Sequence, residues 1–226
     1  NAVTAILPGG ALNPKFNKWL DKVASFIMSL KDKNGDVIPV LFRPWHEMNG
    51  GWFWWGASDC TPEEYRQLYQ YTHKRISEKV CDNLVWGYSP NLASNESEEN
   101  FMKYYPGDEY VDLIGIDVYQ MAADSVYQDD LRKEFDVMKI VGEKHNKLVA
   151  LTETGNKTVS HPKWFTETLL PVLEEYKLCY ALLLPNAWDH PKAVYASAPN
   201  LPTAKDFKKF CKNKRILMNK DIKKMK

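Results

Sequence analysis

VDLIGIDVY, residues 111–119, is apolar except for Asp112 and Asp117. Apolar residues in succession, rather than alternating with polar ones, mark a strand buried on both faces. Four more runs of this kind flank it: VIPVLF ending at Phe42, LVWGYS (84–89), LVALTET (148–154) and YALLLPNAW (180–188). The segments between them read as helices, so the strands should lie parallel in a βα series. Residues 62–79 and 127–144 are two of these helices. A third runs over 14–31, with Asn13 and Pro14 as cap and first-turn residue. Its stripe is Phe16, Trp19, Leu20, Val23, Phe26, Ile27 and Leu30, and Asn34-Gly35 stops it before the first strand.

The carboxyl ends of the five runs carry Glu47, Tyr88, Tyr119, Glu153 and Trp188, spaced by 41, 31, 34 and 35 residues. A (β/α)8 barrel gathers such positions on one face, whereas an open doubly wound sheet gathers them only at a switch point. No glycine-rich phosphate fingerprint follows any strand, which counts against nucleotide binding. The expected fold class is therefore α/β, a (β/α)8 TIM barrel. A complete barrel needs eight strands and about 250 residues, and here five strands follow position 37. The chain is expected to cover roughly strands 4 to 8, with the N-terminal strands missing or supplied elsewhere. Residues 1–226 would then be a single barrel domain, the C-terminal portion of a longer one. Residues 1–36 leave room for a loop, one helix and a short strand at Val3–Leu7.

With 226 residues and 44% hydrophobic composition the chain can fill one sizeable core. Thirty Lys and Arg against 29 Asp and Glu leave no global field for nucleic acid or an anionic membrane. No stretch reaches the roughly 20 apolar residues of a membrane span. Residues 1–10 lack a secretory signal, though a removed signal would leave the same appearance. Cys60, Cys81, Cys179 and Cys211 form no CxxC pairs, against a zinc site. Cys60 and Cys81 flank a helix that would hold them roughly 30 Å apart. Buried free thiols are expected, with a Cys179/Cys211 bridge left open. The basic tail from Lys205 onward repeats Phe207, Phe210, Ile216 and Leu217 like an amphipathic terminal helix with a solvated face.

Eight Trp and twelve Tyr are a heavy aromatic load, and RPWHEMNGGWFWWG (43–56) concentrates it around one acid. Flat apolar rings beside a carboxyl suit a sugar site, where rings stack on pyranose faces. Glu47 and Glu153 each end an apolar strand, three βα units apart, and glycoside hydrolysis needs a carboxyl pair. Apolar rings favour the protonated form of a nearby acid, while the hydroxyls and backbone donors of Thr152-Glu153-Thr154-Gly155 favour an ionised one. An HExxH zinc helix is excluded because Gly50 stands where the second histidine would be. Arg43 has two readings, a partner to the nucleophile or an ordinary barrel ion pair. One or two of Trp52, Trp54 and Trp55 are expected in the cleft, while Trp45, Trp86 and Trp164 are expected to pack. The remaining histidines suit solvent-facing positions, and His190 is open to a sugar subsite.

RPWHEMNGGWFWWG, together with VWGYSPN, YYPGDEYVDLIGIDVY, LTETG and the final strand-end tryptophan, resembles glycoside hydrolase family 26, the β-mannanase family of the retaining barrel superfamily. The resemblance covers nearly the whole chain from about residue 5 onward. It implies endo-acting hydrolysis of β-1,4-mannosidic linkages in mannan, glucomannan and galactomannan by double displacement. It implies Glu47 as acid/base and Glu153 as nucleophile. His46 would bond the sugar at the cleavage subsite, Trp52 would line the leaving-group side, Tyr119 would orient the nucleophile, and Trp188 would be the stacking platform. Asp117 and Asp112 match acidic positions on the strand before the nucleophile's. Trp55 and Arg43 complete the expected substrate-binding set. Asp189 stands where some relatives present an arginine, which puts contacts to the glycone in question. No metal or organic cofactor is implied, and the expected partner is a neutral polysaccharide, with no nucleic acid and no membrane span. A monomer is expected, secreted, periplasmic or at the cell surface. The alternatives are a β-glucanase or β-xylanase on the same scaffold, or a non-catalytic carbohydrate-binding truncated barrel.

Overall fold

The structure is a computed structural model that describes the chain apart from Cys81 and residues 93–96, 158–160, 188, 190–192 and 224–226. Its five strands are β1 (Val40–Phe42), β2 (Leu84–Tyr88), β3 (Leu113–Gln120), β4 (Leu148–Asn156) and β5 (Ala181–Leu183), ordered β1-β2-β3-β4-β5 in one sheet. The pairs β1/β2, β2/β3 and β4/β5 are parallel. Sequential order with parallel pairing is what a βα series produces. Burial follows position in that order. β3 is buried along its first six residues, while Leu41 of β1 and Leu182 of β5, in the two end strands, are exposed. The expectation of strands buried on both faces therefore holds for the middle and fails at the ends, where among the described residues one side has no neighbouring strand. β5 is also shorter than its apolar run, because Pro185 has no N–H to continue the ladder.

The chain divides into two compact units, Asn1–Ile116 with Val137–Leu148, and Asp117–Asp136 with Val149–Lys226. In the first unit the helices are α1 (Ala2–Ile6), α2 (Asn13–Ser29), α3 (Pro62–Ser77) and the short α4 (Glu98–Met102). α5 (Asp124–His145) passes through both units. The expected strand at Val3–Leu7 is instead helix α1. Asn1 Oδ1 accepts from Thr4 N (2.9 Å) and Thr4 answers the cap, a reciprocal capping box that overrides the β-branched composition.

Asn13 is not the cap of α2, which begins after Leu12. Its amide instead donates to Ile6 O (2.8 Å) and Tyr71 Oη (3.2 Å), tying α1, α2 and α3 together. Nor is the expected stripe of α2 all buried. The core takes Phe16, Leu20, Ala24 and Ile27, while Trp19 and Phe26 are exposed. Seven apolar positions from 16 to 30 span more of the helix than one packed face can cover. α3 has a full capping box from Thr61 and Glu64, and Arg75 grips Asp21 of α2 through two 3.0 Å bonds.

In the second unit a π-helical stretch, Trp164–Leu169, leads into α6 (Leu170–Glu175), followed by α7 (Ala204–Phe210) and α8 (Asn219–Ile222). Trp164 and Phe165 are fully buried, and Phe207 and Phe210 pack on Phe165. The C-terminal tail is not one amphipathic helix. α7 ends at Phe210, and Asn213 Oδ1 takes the N–H of Arg215 (2.8 Å), a local turn that competes with helix. Cys60 is a buried free thiol as expected, but Cys179 is exposed and Cys211 half-buried, and both are free, so the Cys179/Cys211 bridge is not formed.

Candidate active site

In the first unit the site is built by the turn that follows β1. Pro44 ends the strand, and the chain then places Trp45 (φ 56°) and Glu47 (φ 53°) in left-handed backbone. Such a conformation costs about 1 kcal/mol or more at a non-glycine residue, so neighbours must hold it. Trp45 is held by three contacts. Its Nε1 donates to Thr72 Oγ1 (3.0 Å), its carbonyl accepts from Tyr65 Oη (2.9 Å), and its ring meets Phe16. Burial pushes the Tyr65 and Tyr69 phenols well above their ordinary range, so both remain donors, Tyr69 to Gly87 O (2.9 Å). Glu47 is held by the loop after β2, its N–H donating to Ser89 O (2.9 Å).

The Glu47 side chain is buried, and both of its oxygens are engaged. Trp52 Nε1 donates to Oε2 (2.8 Å) and Asn91 Nδ2 to Oε1 (2.7 Å). Gly50 makes the first bond possible. A Cβ there would sit 2.3 Å from the Trp52 ring, so only glycine lets the indole fold back over the backbone. Although bonded to Glu47, Trp52 keeps 58% of its surface exposed.

Trp55 has a different place. Its Nε1 donates to His46 O (2.9 Å), and its ring stacks on Phe53 at 4.2 Å and meets Trp45 and Trp54 edge-on. It is the wall behind the segment, while Trp52, and Trp54 at 39% exposure, offer surface to solvent. The His46 ring lies against Phe53 and Trp55. Arg43 donates Nη1 to Ser89 Oγ (2.6 Å), so it braces the same residue whose carbonyl holds Glu47 N.

In the second unit the site is built by β3 and β4. Thr152, Glu153 and Thr154 alternate across β4, so the two threonines share one face and Glu153 takes the other. Thr152 Oγ1 donates to Asp117 Oδ1 (2.6 Å) and Thr154 Oγ1 to Val118 O (2.7 Å), and Tyr127 bonds Thr154 Oγ1. On the opposite face Tyr119 Oη donates to Glu153 Oε2 (2.5 Å), and Glu153 is half-buried. Asp117 is fully buried, so its carboxyl fastens β3 to β4 through Thr152. Gln120 Oε1 accepts from Asn156 Nδ2 (2.9 Å) and Trp164 Nε1 (2.5 Å), which holds the ends of both strands. Trp188 and His190 lie outside the described residues.

Three contributors carry no role in the sequence reading. Asn91 bonds Glu47, and Asn49 clamps Asn91 through Asn49 Nδ2 to Asn91 O (2.7 Å) and Asn91 N to Asn49 Oδ1 (2.8 Å). In the other unit Tyr195 sets its ring edge-on to Tyr119 at 5.5 Å. Both asparagines lie within the quoted motifs, where a polar amide just after a strand was the available signal. Tyr195 has no such signal, since Asn186 Oδ1 places it by accepting from Tyr195 N and Ala196 N.

Residues 1–190 match the sequence profile of glycosyl hydrolase family 26. The chain belongs to that family. The mannan endo-1,4-beta-mannosidase of Bifidobacterium adolescentis is 38% identical over 155 residues, 66% of this chain and 16% of that protein. The enzyme of the same name from Bacillus subtilis is 31% identical over 182 residues, 77% of this chain and 46% of that protein. The solved structure of a family 26 β-mannanase from Bacteroides ovatus superposes with a TM-score of 0.93 at 41% identity, covering 97% of this chain and 63% of that one. The five strands are therefore part of a (β/α)8 barrel. This family 26 chain spans between 16% and 63% of the length of those three relatives. Among the described residues, no helix is long and apolar enough to cross a membrane.

Proposed function

We propose that this chain works as one catalytic domain that cleaves β-1,4-mannosidic bonds within mannans, with retention of configuration. The observation that carries the reading, within a family 26 chain, is how differently its two glutamates are held. Glu47 is buried with an indole and a carboxamide on its oxygens, while Glu153 is half-buried within β4 and accepts from a phenol. The first arrangement fixes in place, by both oxygens, the group assigned to pass a proton out and back. The second suits a carboxylate that attacks carbon. In the first step Glu153 attacks the anomeric carbon while the Glu47 proton passes to the leaving oxygen. In the second, Glu47 takes a proton from water, whose oxygen displaces Glu153 and frees the sugar. His46 and the exposed face of Trp52 are assigned to the substrate, Tyr119 to orienting Glu153, and Arg43, Trp55 and Asp117 to supporting these residues. A polymer too large to enter a cell implies export of the enzyme.

Incubation with galactomannan, barley glucan and xylan, reading new reducing ends, tests the substrate assignment, with galactomannan expected to be cleaved fastest. Glu153→Ala and Glu47→Ala should each lower turnover by about 10²-fold or more. Azide should rescue both, giving the α-glycosyl azide with Glu153→Ala and the β-azide with Glu47→Ala. Unchanged hydrolysis after Glu153→Ala defeats the assignment. Retention also requires the two carboxyls about 5 to 5.5 Å apart in the sugar complex, and a gap of about 6.5 to 9.5 Å would make the enzyme inverting.

A further inference from the structure

We propose that Asn91 is a positioning residue for Glu47, and that its carboxamide serves both protonation states of that acid. This rests on the reading of Glu47 as acid/base. The two side chains bonded to Glu47 differ in what they can offer. The Trp52 indole has one N–H and no acceptor, so it can only donate, at 2.8 Å to Oε2. Asn91 donates at 2.7 Å to Oε1, and the same carboxamide also carries an acceptor oxygen. A half-turn about the terminal bond of Asn91 replaces its NH2 with that oxygen, which can accept the proton of a carboxylic acid at Oε1.

Double displacement passes Glu47 through both states, since it must hold a proton before the first step and lack one before the second. The proton leaves with the departing sugar and is replaced from water, so the amide turns twice per cycle and is itself unchanged. The placement of Asn91 is built for this. Asn49 grips the backbone N–H and carbonyl of Asn91, not its side chain, so the carboxamide can rotate while the chain behind it stays fixed. The same loop holds Glu47 from the other side, through Glu47 N to Ser89 O. The remaining charged or titratable groups of this turn are Arg43, whose Nη1 lies on Ser89 Oγ, and His46, whose ring packs on Phe53 and Trp55.

The test follows the Glu47 carboxyl by 13C NMR titration of the full chain labelled at glutamate Cδ, with Glu47→Gln to assign the signal. Removing the amide loses a charge-assisted bond to the carboxylate and a weaker one to the acid, so charge is disfavoured by the difference. Asn91→Ala should therefore move the midpoint up by about one pH unit, the size of that difference. Asn91→Asp, which sets a second carboxyl against the first, should move it further. The Asn49 clamp needs only the backbone of residue 91, so the loop is expected to survive these changes, and Asn91→Ser is a second variant should Asn91→Ala lose its fold.

With a nitrophenyl β-mannoside as kinetic probe, Asn91→Asp should retain the first step and slow the second about tenfold, giving a burst of phenolate followed by slow turnover. An unmoved midpoint in Asn91→Ala and Asn91→Ser overturns the proposal whether or not the chain hydrolyses mannan. A wild-type chain inactive on every β-mannoside refutes the proposed function and leaves the titration to decide on Asn91. A moved midpoint with no burst in Asn91→Asp also overturns the two-state role.

Discussion

Gly155→Ala tests how β4 is seated. A Cβ at this buried position would stand 2.9 Å from Cδ1 of Tyr195, 3.0 Å from its Cβ and 3.3 Å from Cγ, all inside ordinary contact distance. The obstacle is not the free end of a flexible chain. Tyr195 Cβ is fixed by its backbone, whose N–H is bonded at 2.8 Å to Asn186 Oδ1. Relief requires β4 or the Asn186 turn to give way, and overpacking of this kind costs about 1–3 kcal/mol. Tyr195 also stands edge-on to Tyr119, which holds Glu153, so displacement should reach the carboxylate and lower kcat more than it raises KM. The assay is urea unfolding of wild type, Gly155→Ala, Tyr195→Ala and the double variant, with kcat and KM on galactomannan. The double variant should be more stable than the sum of the single losses, since removing the ring removes the contacts at 2.9 and 3.3 Å and leaves only the one with Cβ. Additive losses, or a Gly155→Ala protein within about 0.5 kcal/mol of wild type, would refute the reasoning.

Thr72→Val leaves the indole N–H of Trp45 without its acceptor at a position 1% exposed. It should cost about 1–3 kcal/mol in urea unfolding, and a loss under about 0.5 kcal/mol would contradict it. Glu64 is held below its ordinary 4.5, first by the Thr61 backbone N–H and also by the Asn1 amide. Its contribution is therefore present above that ordinary value and lost as pH falls through the depressed one, so the Tm deficit of Glu64→Gln should be visible at pH 7 and close under acid. A deficit constant with pH would argue against it. Burial pushes the Cys60 thiol up to about 11, helped by Glu64 and Asp59, and it donates to Trp55 O, whereas Cys179 is exposed. Iodoacetamide at pH 8 should label Cys179 and spare Cys60 in the folded chain, as read by peptide mass spectrometry.

Strand order was legible because β2, β3 and β4 carry continuous apolar runs buried over most of their length. The helix start at Pro62 was legible, whereas α5 begins at Asp124, three residues before the expected 127. Misreadings arose where the deciding partner is distant or a single bond. Asn1 turns a β-branched stretch into α1, and Asn213 stops the terminal helix. The acid segment announced itself by composition, and so did Trp52. The bond from Asn91 to Glu47 did not, because it joins residues 44 apart and an amide after a strand does not say which residue it will reach. Tyr195 was invisible for the same reason, being placed by the turn around Asn186.

The left-handed backbone at Trp45 and Glu47 means that RPWHE is not a portable cassette. Its conformation is borrowed from Thr72 on one helix, Tyr65 about two turns earlier, and the Ser89 carbonyl one strand over. Grafted onto another barrel without these three, the pentapeptide would relax to ordinary backbone and swing its glutamate away. An engineer moving this acid must carry the neighbouring strand end and helix face along with it.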